Sequence, residues 1–311
     1  MHRQPVFLFS LHRSGSTLLE RILNCHPNLV LWGEHGGIFN QLAAVDAATT
    51  PFPDLNHPLA ERGLAQFIRN KPQPTFEPWR TPVSAEALRA AMRDWMVQTF
   101  TTGLAPEQRW GMKEIRYGGA PITQFLQTLF PQAQFLVLRR DLVSLCVSNI
   151  LAPWSLDGLS TMGTFQNDAE AQTVVADCAY ALTALDQRLD ETVQQAGAAV
   201  LPLTANEIPL KIGEIFEFLA LPLTQPLVAS IAQVIHHRVG ATDLSKSIGR
   251  LNRDSILTWA PRYLDLARRE IARDGLDLAR LQGREGRGQY CFVTGDHALR
   301  GSGRSSMGWG L

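Results

Sequence analysis

Pro5 to Leu23 reads PVFLFSLHRSGSTLLERIL, and its reading decides the fold. Val6, Phe7, Leu8 and Phe9 form a short apolar run, the pattern of a strand buried on both faces. Ser10 to Thr17 is small, polar and basic, and Gly15 is free to take backbone angles that other residues avoid. Leu18, Leu19, Ile22 and Leu23 follow at helical spacing. The stretch predicts strand, tight loop and helix. Such a loop aims backbone N–H groups, hydroxyls and a helix N-terminus at one point, which suits a phosphate or sulfate group. The plainer alternative is a strand–turn–helix whose serines only cap the helix.

The loop departs from the Walker A pattern, which needs GxxxxGK followed by Ser or Thr. No Gly stands at its first position and no Lys precedes the hydroxyl pair Ser16 and Thr17. The nearby cation is Arg13, at the front of the loop. HRSGSTLLERIL instead resembles the 5′-phosphosulfate loop of sulfotransferases. These enzymes use 3′-phosphoadenosine 5′-phosphosulfate (PAPS) as sulfate donor. The resemblance implies a P-loop-type α/β fold, a three-layer sandwich with a central parallel sheet flanked by helices. It also implies that Arg13, Ser14, Gly15, Ser16 and Thr17 hold the 5′-phosphosulfate.

Outward from this loop, three further stretches match in order. Leu29 to Trp32 suits a second short strand, and Gly33 to Gly37 forms a loop at its C-terminal end, where open parallel sheets bind ligands. That loop presents one carboxylate, Glu34. Standing alone, Glu34 reads as a solvated loop residue. Several sulfotransferase groups place their catalytic base in a segment like HPxxxxxGE, so the resemblance implies that Glu34 is the base and that His26 and Pro27 mark the turn. Trp110 to Gly119, WGMKEIRYGG, resembles the family's WGxK strand, which implies that Lys113 lies near the sulfuryl group. Its alternative is a surface Lys paired with Glu114. Arg116 is a second basic candidate. Many relatives carry Lys-Thr-Pro where this chain has Lys113, Glu114 and Ile115.

Ala133 to Ile150, AQFLVLRRDLVSLCVSNI, carries the remaining strong match. Phe135 to Leu138 reads as a buried strand, followed by a helix through Ser148. Arg140 and Ser148 stand eight residues apart, and such a pair can grip one anion from two sides. The family's 3′-phosphate signature has this form, so the resemblance assigns the 3′-phosphate to Arg140 and Ser148, with Leu142 in place of the common Pro. The Arg-Arg-Asp run also occurs in a bacterial sulfolipid-type branch of the family, and a tyrosylprotein-type branch is similar as well. The alternative for Arg140 is an ion pair with Asp141. Lys211 to Leu221, KIGEIFEFLAL, resembles a family helix. In relatives a basic loop before the last helix closes over the nucleotide; Lys246, Ser247 and Arg250 are the loose counterparts here, and otherwise form a solvated loop.

The rest is read from pattern. Ser84 to Phe100 predicts a helix capped by Ser84, Asp168 to Gln195 a long helix, Ala198 to Leu203 a strand, and Asp254 to Arg273 a final helix capped by Asp254. Ala43 to Arg80 reads as short helices and loops that cap the acceptor site, and Trp154 to Met162 as a border of that site. The expected organisation is one α/β domain over 1–281, with a helical cap insertion at about 43–105. A Gly-, Ser- and Arg-rich tail follows at 282–311.

The 311 residues are 45% apolar and 19% charged, as in ordinary globular proteins. Their 29 basic and 29 acidic residues balance, which argues against a broad nucleic-acid or membrane footprint. The four cysteines form no CxxC pair and read as reduced thiols, so a cytoplasmic location is expected. The N-terminus runs straight into the first strand without a leader pattern, and no apolar run of about 18 residues predicts a membrane span. His236 and His237 lack spaced partners, so no metal is expected.

Together these features predict a PAPS-dependent sulfotransferase that moves a sulfuryl group to an acceptor hydroxyl by in-line attack, with Glu34 as general base and with Arg13 and Lys113 as catalytic cations. Two alternatives stay open: a Mg²⁺-dependent nucleotide or small-molecule kinase of P-loop fold, and a non-catalytic nucleotide-binding protein. The acceptor, whether a protein tyrosine, carbohydrate, lipid or phenol, is not encoded in any stretch that can be decoded.

Overall fold

The computed structural model describes residues 4–49, 84–152, 165–236 and 245–276, together with positions 69, 155 and 159. The expected tail, all of Trp154 to Met162 but 155 and 159, and all of 50–83 but 69 lie outside the described residues.

In chain order the elements are β1 (Val6–Ser10), α1 (Ser16–Leu23), β2 (Leu29–Trp32), α2 (Ile38–Thr49), α3 (Ala85–Thr101), β3 (Arg109–Glu114), α4 (Ala120–Leu129), β4 (Gln134–Arg139), α5 (Leu142–Ile150), α6 (Asp168–Ala196), β5 (Val200–Thr204), α7 (Ile212–Phe218), α8 (Gln225–His236) and α9 (Arg253–Asp274). The strands form one parallel sheet in the order β2-β3-β1-β4-β5. The expected α/β sandwich is therefore present, with the β1–loop–α1 unit at its centre.

The alternation of β1 explains the layers. Val6 and Leu8 join Leu29, Leu31, Leu136, Leu138 and Leu203 on the face covered by α1, α7 and α8. Phe7 and Phe9 join Trp110, Met112, Phe135 and Val137 on the face covered by α2 to α6 and α9. Both faces are apolar because both are covered, as the unbroken run Val6 to Phe9 implies. Gly111 is required where β3 passes between its neighbours: a Cβ there would collide with the Val6 carbonyl and crowd Leu31.

The connections place the site. From central β1 the chain runs to β2 at the sheet edge, returns to β3, then crosses to β4 on the other side. The carboxyl end of β1 is thus a topological switch point, where open parallel sheets bind ligands. Three loops meet this edge: 11–15 after β1, 33–37 after β2 and 140–141 after β4.

Several boundaries differ from expectation. Asn252 caps α9, in a capping box with Ser255, where Asp254 was expected. Asp254 lies inside the first turn. Helices α4 and α8 stand where no element was predicted. The first part of the expected short helices and loops is α2, which starts at Ile38, ahead of Ala43, and ties to α3 through Asp46 and Arg89, 2.6 Å apart. Ser84 caps α3 as expected, accepting from the Ala87 N–H.

Candidate active site

Loop 11–15 is held by its own backbone. The Ser14 N–H donates to the Leu11 carbonyl, and Arg13 (φ 62°) and Gly15 (φ 94°) both take left-handed angles. For a non-glycine residue that conformation costs about 1 kcal/mol or more. It turns the chain so that Gly15 becomes the N-cap of α1, with no side-chain capping bond. The serines therefore do not act as caps. The Ser14 hydroxyl is buried and has no hydrogen-bond partner. An orphaned buried hydroxyl beside an uncapped helix N-terminus fits an anion.

Two cations converge on this loop from β4 and from the loop itself. Arg13 Nε donates to Ser148 Oγ at 3.2 Å, and Arg140 Nη1 donates to the Arg13 carbonyl at 3.1 Å. Burial lowers the pKa of Arg13, and the neighbouring Arg140 lowers it further. Two guanidinium groups brought this close repel each other unless an anion lies between them. Arg139 points elsewhere and pairs with Asp190 at 2.6 Å and Asp186 at 3.7 Å. Asp141 accepts from the Ser144 N–H through Oδ2 as the cap of α5, and the Arg140 charge also helps hold its pKa down. Thr17 is exposed on the first turn of α1, while Ser16 is buried.

A second constellation lies beside the first, on β2 and β3. Lys113 is 4% exposed, which overturns its alternative as a surface residue. Its Nζ lies 2.7 Å from Glu34 Oε1 and 3.4 Å from Glu20 Oε2 on α1. Glu34 Oε2 lies 3.5 Å from Arg116 Nη1. The partners of Lys113 are thus Glu34 and Glu20, not the adjacent Glu114. Glu34 is one-third exposed (33%), so it meets both the ion pair and the outside. An open cleft of about 320 Å³ borders it, lined by Trp32, His35, Thr99, Phe100 and Met112.

His12 joins the two constellations. It is buried within the fields of Arg116, Glu34, Glu114 and Lys113, and burial first, then Arg116, brings its pKa down to about 4. At neutral pH it is an uncharged imidazole next to the anion loop.

Sequence reasoning missed His12, Glu20 and Glu114. Glu114 is fully buried and takes hydrogen bonds from the N–H groups of His35 and Gly37. The signal was its place beside Lys113 at the end of a fully buried strand. Lys246 and Ser247 are exposed, and Arg250 faces Asp168 at 3.7 Å. Among the described residues no group of three His, Cys, Asp or Glu side chains is placed to hold a metal ion. No described helix is long and apolar enough to cross a membrane.

A family model described as "Sulfotransferase family" matches residues 5–196, more than half of the chain. No curated protein matches it in sequence. Similar solved structures include the sulfotransferase domain from the curacin biosynthetic pathway, at 16% identity, 83% coverage of either chain and a TM-score of 0.42. Sulfotransferase STF9 from Mycobacterium avium is 14% identical, with 86% of this chain and 77% of that one covered and a TM-score of 0.45. Mouse sulfotransferase SULT7A1, solved with PAP, is 10% identical, with 88% and 82% covered and a TM-score of 0.42.

Proposed function

This chain belongs to the sulfotransferase family, and from that premise we propose that it transfers a sulfuryl group from PAPS to an acceptor hydroxyl, with Glu34 as general base. The observation that carries the reading is the meeting of Arg13, Arg140 and Ser148 around the uncapped start of α1.

In this reading the residues divide the donor between them. Arg13, Ser14, Gly15, Ser16 and Thr17 hold the 5′-phosphosulfate, with the orphaned Ser14 hydroxyl and the first N–H groups of α1 as its donors. Arg140 and Ser148 hold the 3′-phosphate. Arg13, bonded to Ser148, spans the two ends and orders them relative to each other.

The acceptor hydroxyl approaches along the cleft beside Glu34. Its oxygen attacks sulfur, an S–O bond forms, and the S–O bond to the 5′-phosphate breaks. The hydroxyl proton passes to Glu34, which must lie within about 3 Å of it. Negative charge grows on the phosphate oxygen that leaves. Arg13, Lys113 and the N-terminus of α1 stabilise that charge, and removing one such preorganised donor typically costs about 10²–10³ in rate. Lys113 serves both partners: the cation near the leaving group is also the one that orients the base.

The test is direct. The metal-free protein is incubated with PAPS and a panel of phenols, sugars, lipids with free hydroxyls and tyrosine peptides, and products are read by mass spectrometry. A sulfated product formed without divalent cation supports the reading. Phosphoryl transfer from Mg²⁺–ATP, with PAPS inert, replaces it with the kinase alternative. Nucleotide binding without any transfer replaces it with the non-catalytic one.

A further inference from the structure

Glu114 closes β3 with no exposed surface at all. Its two oxygens serve different segments. Oε2 accepts from the N–H of His35 at 3.2 Å and of Gly37 at 3.0 Å, both in the loop that carries Glu34. Oε1 accepts from the N–H of Ile115 at 3.0 Å and of Arg116 at 3.3 Å, and from the Arg116 guanidinium at 2.7 Å. An ionised carboxylate is suited to this because both of its oxygens accept and neither donates.

The loop needs such an anchor. Gly36 and Gly37 both have positive φ, 76° and 77°, and glycines lose more conformational freedom on ordering than other residues. The bonds to His35 and Gly37 bracket Gly36 on both sides. A further tie follows at Phe39, whose N–H donates to the Tyr117 hydroxyl at 2.8 Å. Through Oε1 the same carboxylate also aims Arg116, whose Nη1 reaches Glu34 Oε2 at 3.5 Å. Lys113 holds the other oxygen of Glu34. One buried side chain thus fixes both the backbone that bears Glu34 and one of the two cations that hold its carboxylate.

We propose that Glu114 is a positioning residue for sulfuryl transfer, which pins loop 33–37 and Arg116 so that Glu34 is presented in a single orientation to the acceptor. The proposal rests on the reading of Glu34 as base. Glu114 touches neither donor nor acceptor; it acts through the loop and through Arg116.

The test uses Glu114→Gln in the full chain. The amide keeps the shape but retains one acceptor oxygen and turns an NH₂ group toward N–H donors. It can serve the Arg116 side or the loop side, not both. The guanidinium is the stronger donor, so the His35 and Gly37 N–H groups are the ones released. Amide hydrogen exchange across 33–37 should accelerate by about 10-fold or more, the weight of one lost hydrogen bond, beyond any change in the amides of β1 and β4. Affinity for 3′-phosphoadenosine 5′-phosphate (PAP) should stay within about twofold, because the donor loop is intact. With PAPS and 4-nitrophenol, kcat should fall by about 100-fold at unchanged KM for PAPS, as expected for a misplaced reacting group.

Arg116→Gln is the second variant and covers the case in which Glu114→Gln does not fold. It leaves Oε2 of Glu114 in place, so His35 and Gly37 should keep their protection. Exchange in 33–37 that merely follows the core strands in Glu114→Gln would overturn the proposal. So would equal loss of loop protection in Arg116→Gln. The exchange measurement needs no acceptor and no nucleotide and decides whether Glu114 pins the loop; a kcat in Glu114→Gln equal to that of the wild type would overturn its part in transfer. Failure of the sulfotransferase reading would show separately, as wild-type protein that does not bind PAP.

Discussion

Arg13 Nε donates to Ser148 Oγ across 3.2 Å, although 135 residues separate the two in sequence. The bond joins the loop after β1 to the second turn of α5, and so joins the two ends of the proposed donor site. Arg140, one residue past β4, completes the contact through the Arg13 carbonyl.

Arg140→Ala is expected to weaken PAP binding by about 10- to 100-fold, the range of a charge-assisted hydrogen bond. Binding of 5′-AMP, which lacks the 3′-phosphate, should change little. Calorimetric titration of both nucleotides against both proteins reads the difference. Equal losses for the two nucleotides would place Arg140 away from the 3′-phosphate.

Glu34→Gln should leave PAP affinity in place and lower turnover by about 10²–10⁴, the contribution of a positioned general base. PAP release from PAPS, followed with an acceptor that the wild type sulfates, measures it. Wild-type turnover in this variant would remove Glu34 from the mechanism.

Lys113→Met takes a buried cation from between Glu20 and Glu34. The two carboxylates then lose their shared cation, Glu34 keeping only the longer contact to Arg116, and the leaving oxygen loses one stabilising group. A rate loss of about 10²–10³ is expected, together with a lower unfolding temperature, because breaking a buried pair leaves an uncompensated charge. Thermal unfolding that matches the wild type would show that the ion pair is not formed in solution.

His12 gives a pH signature. Folding keeps it neutral down to about pH 4, chiefly through burial, whereas in the unfolded chain it takes up a proton near pH 6.5. Between these values the unfolded state binds more protons, so stability falls as pH falls, by about 3 kcal/mol in all. Urea unfolding at a series of pH values between 7 and 4.5 measures the slope, and His12→Asn should flatten it. An equal slope in the variant would assign the pH dependence to other groups.

The central strand, the loop and α1 were legible in the sequence because one short stretch changes its apolar spacing from continuous to helical. Their function needed the resemblance, since a loop of this kind also fits a simple turn. The spacing of Arg140 and Ser148 was readable, and their proposed role came from the resemblance; in the structure both contact Arg13, while Arg139 is engaged with α6. Glu114 was not legible. Its meaning comes from two loops brought together by the β2–β3 crossover, and sequence distance hides that meeting. Helix α4 did carry a readable pattern, in Ile122, Phe125, Leu126 and Leu129 after Pro121. The cap of α9 was misplaced by two residues because Asn252 and Asp254 are both good capping residues, and the Asn252–Ser255 box decides between them only once the backbone is folded.

The most direct measurement is calorimetric titration of the metal-free protein with PAP, alongside 5′-AMP and ATP. The account predicts tight binding of PAP that depends on the 3′-phosphate and is weakened in Arg140→Ala. Equal or tighter binding of AMP or ATP, with no response to Arg140→Ala, would contradict it.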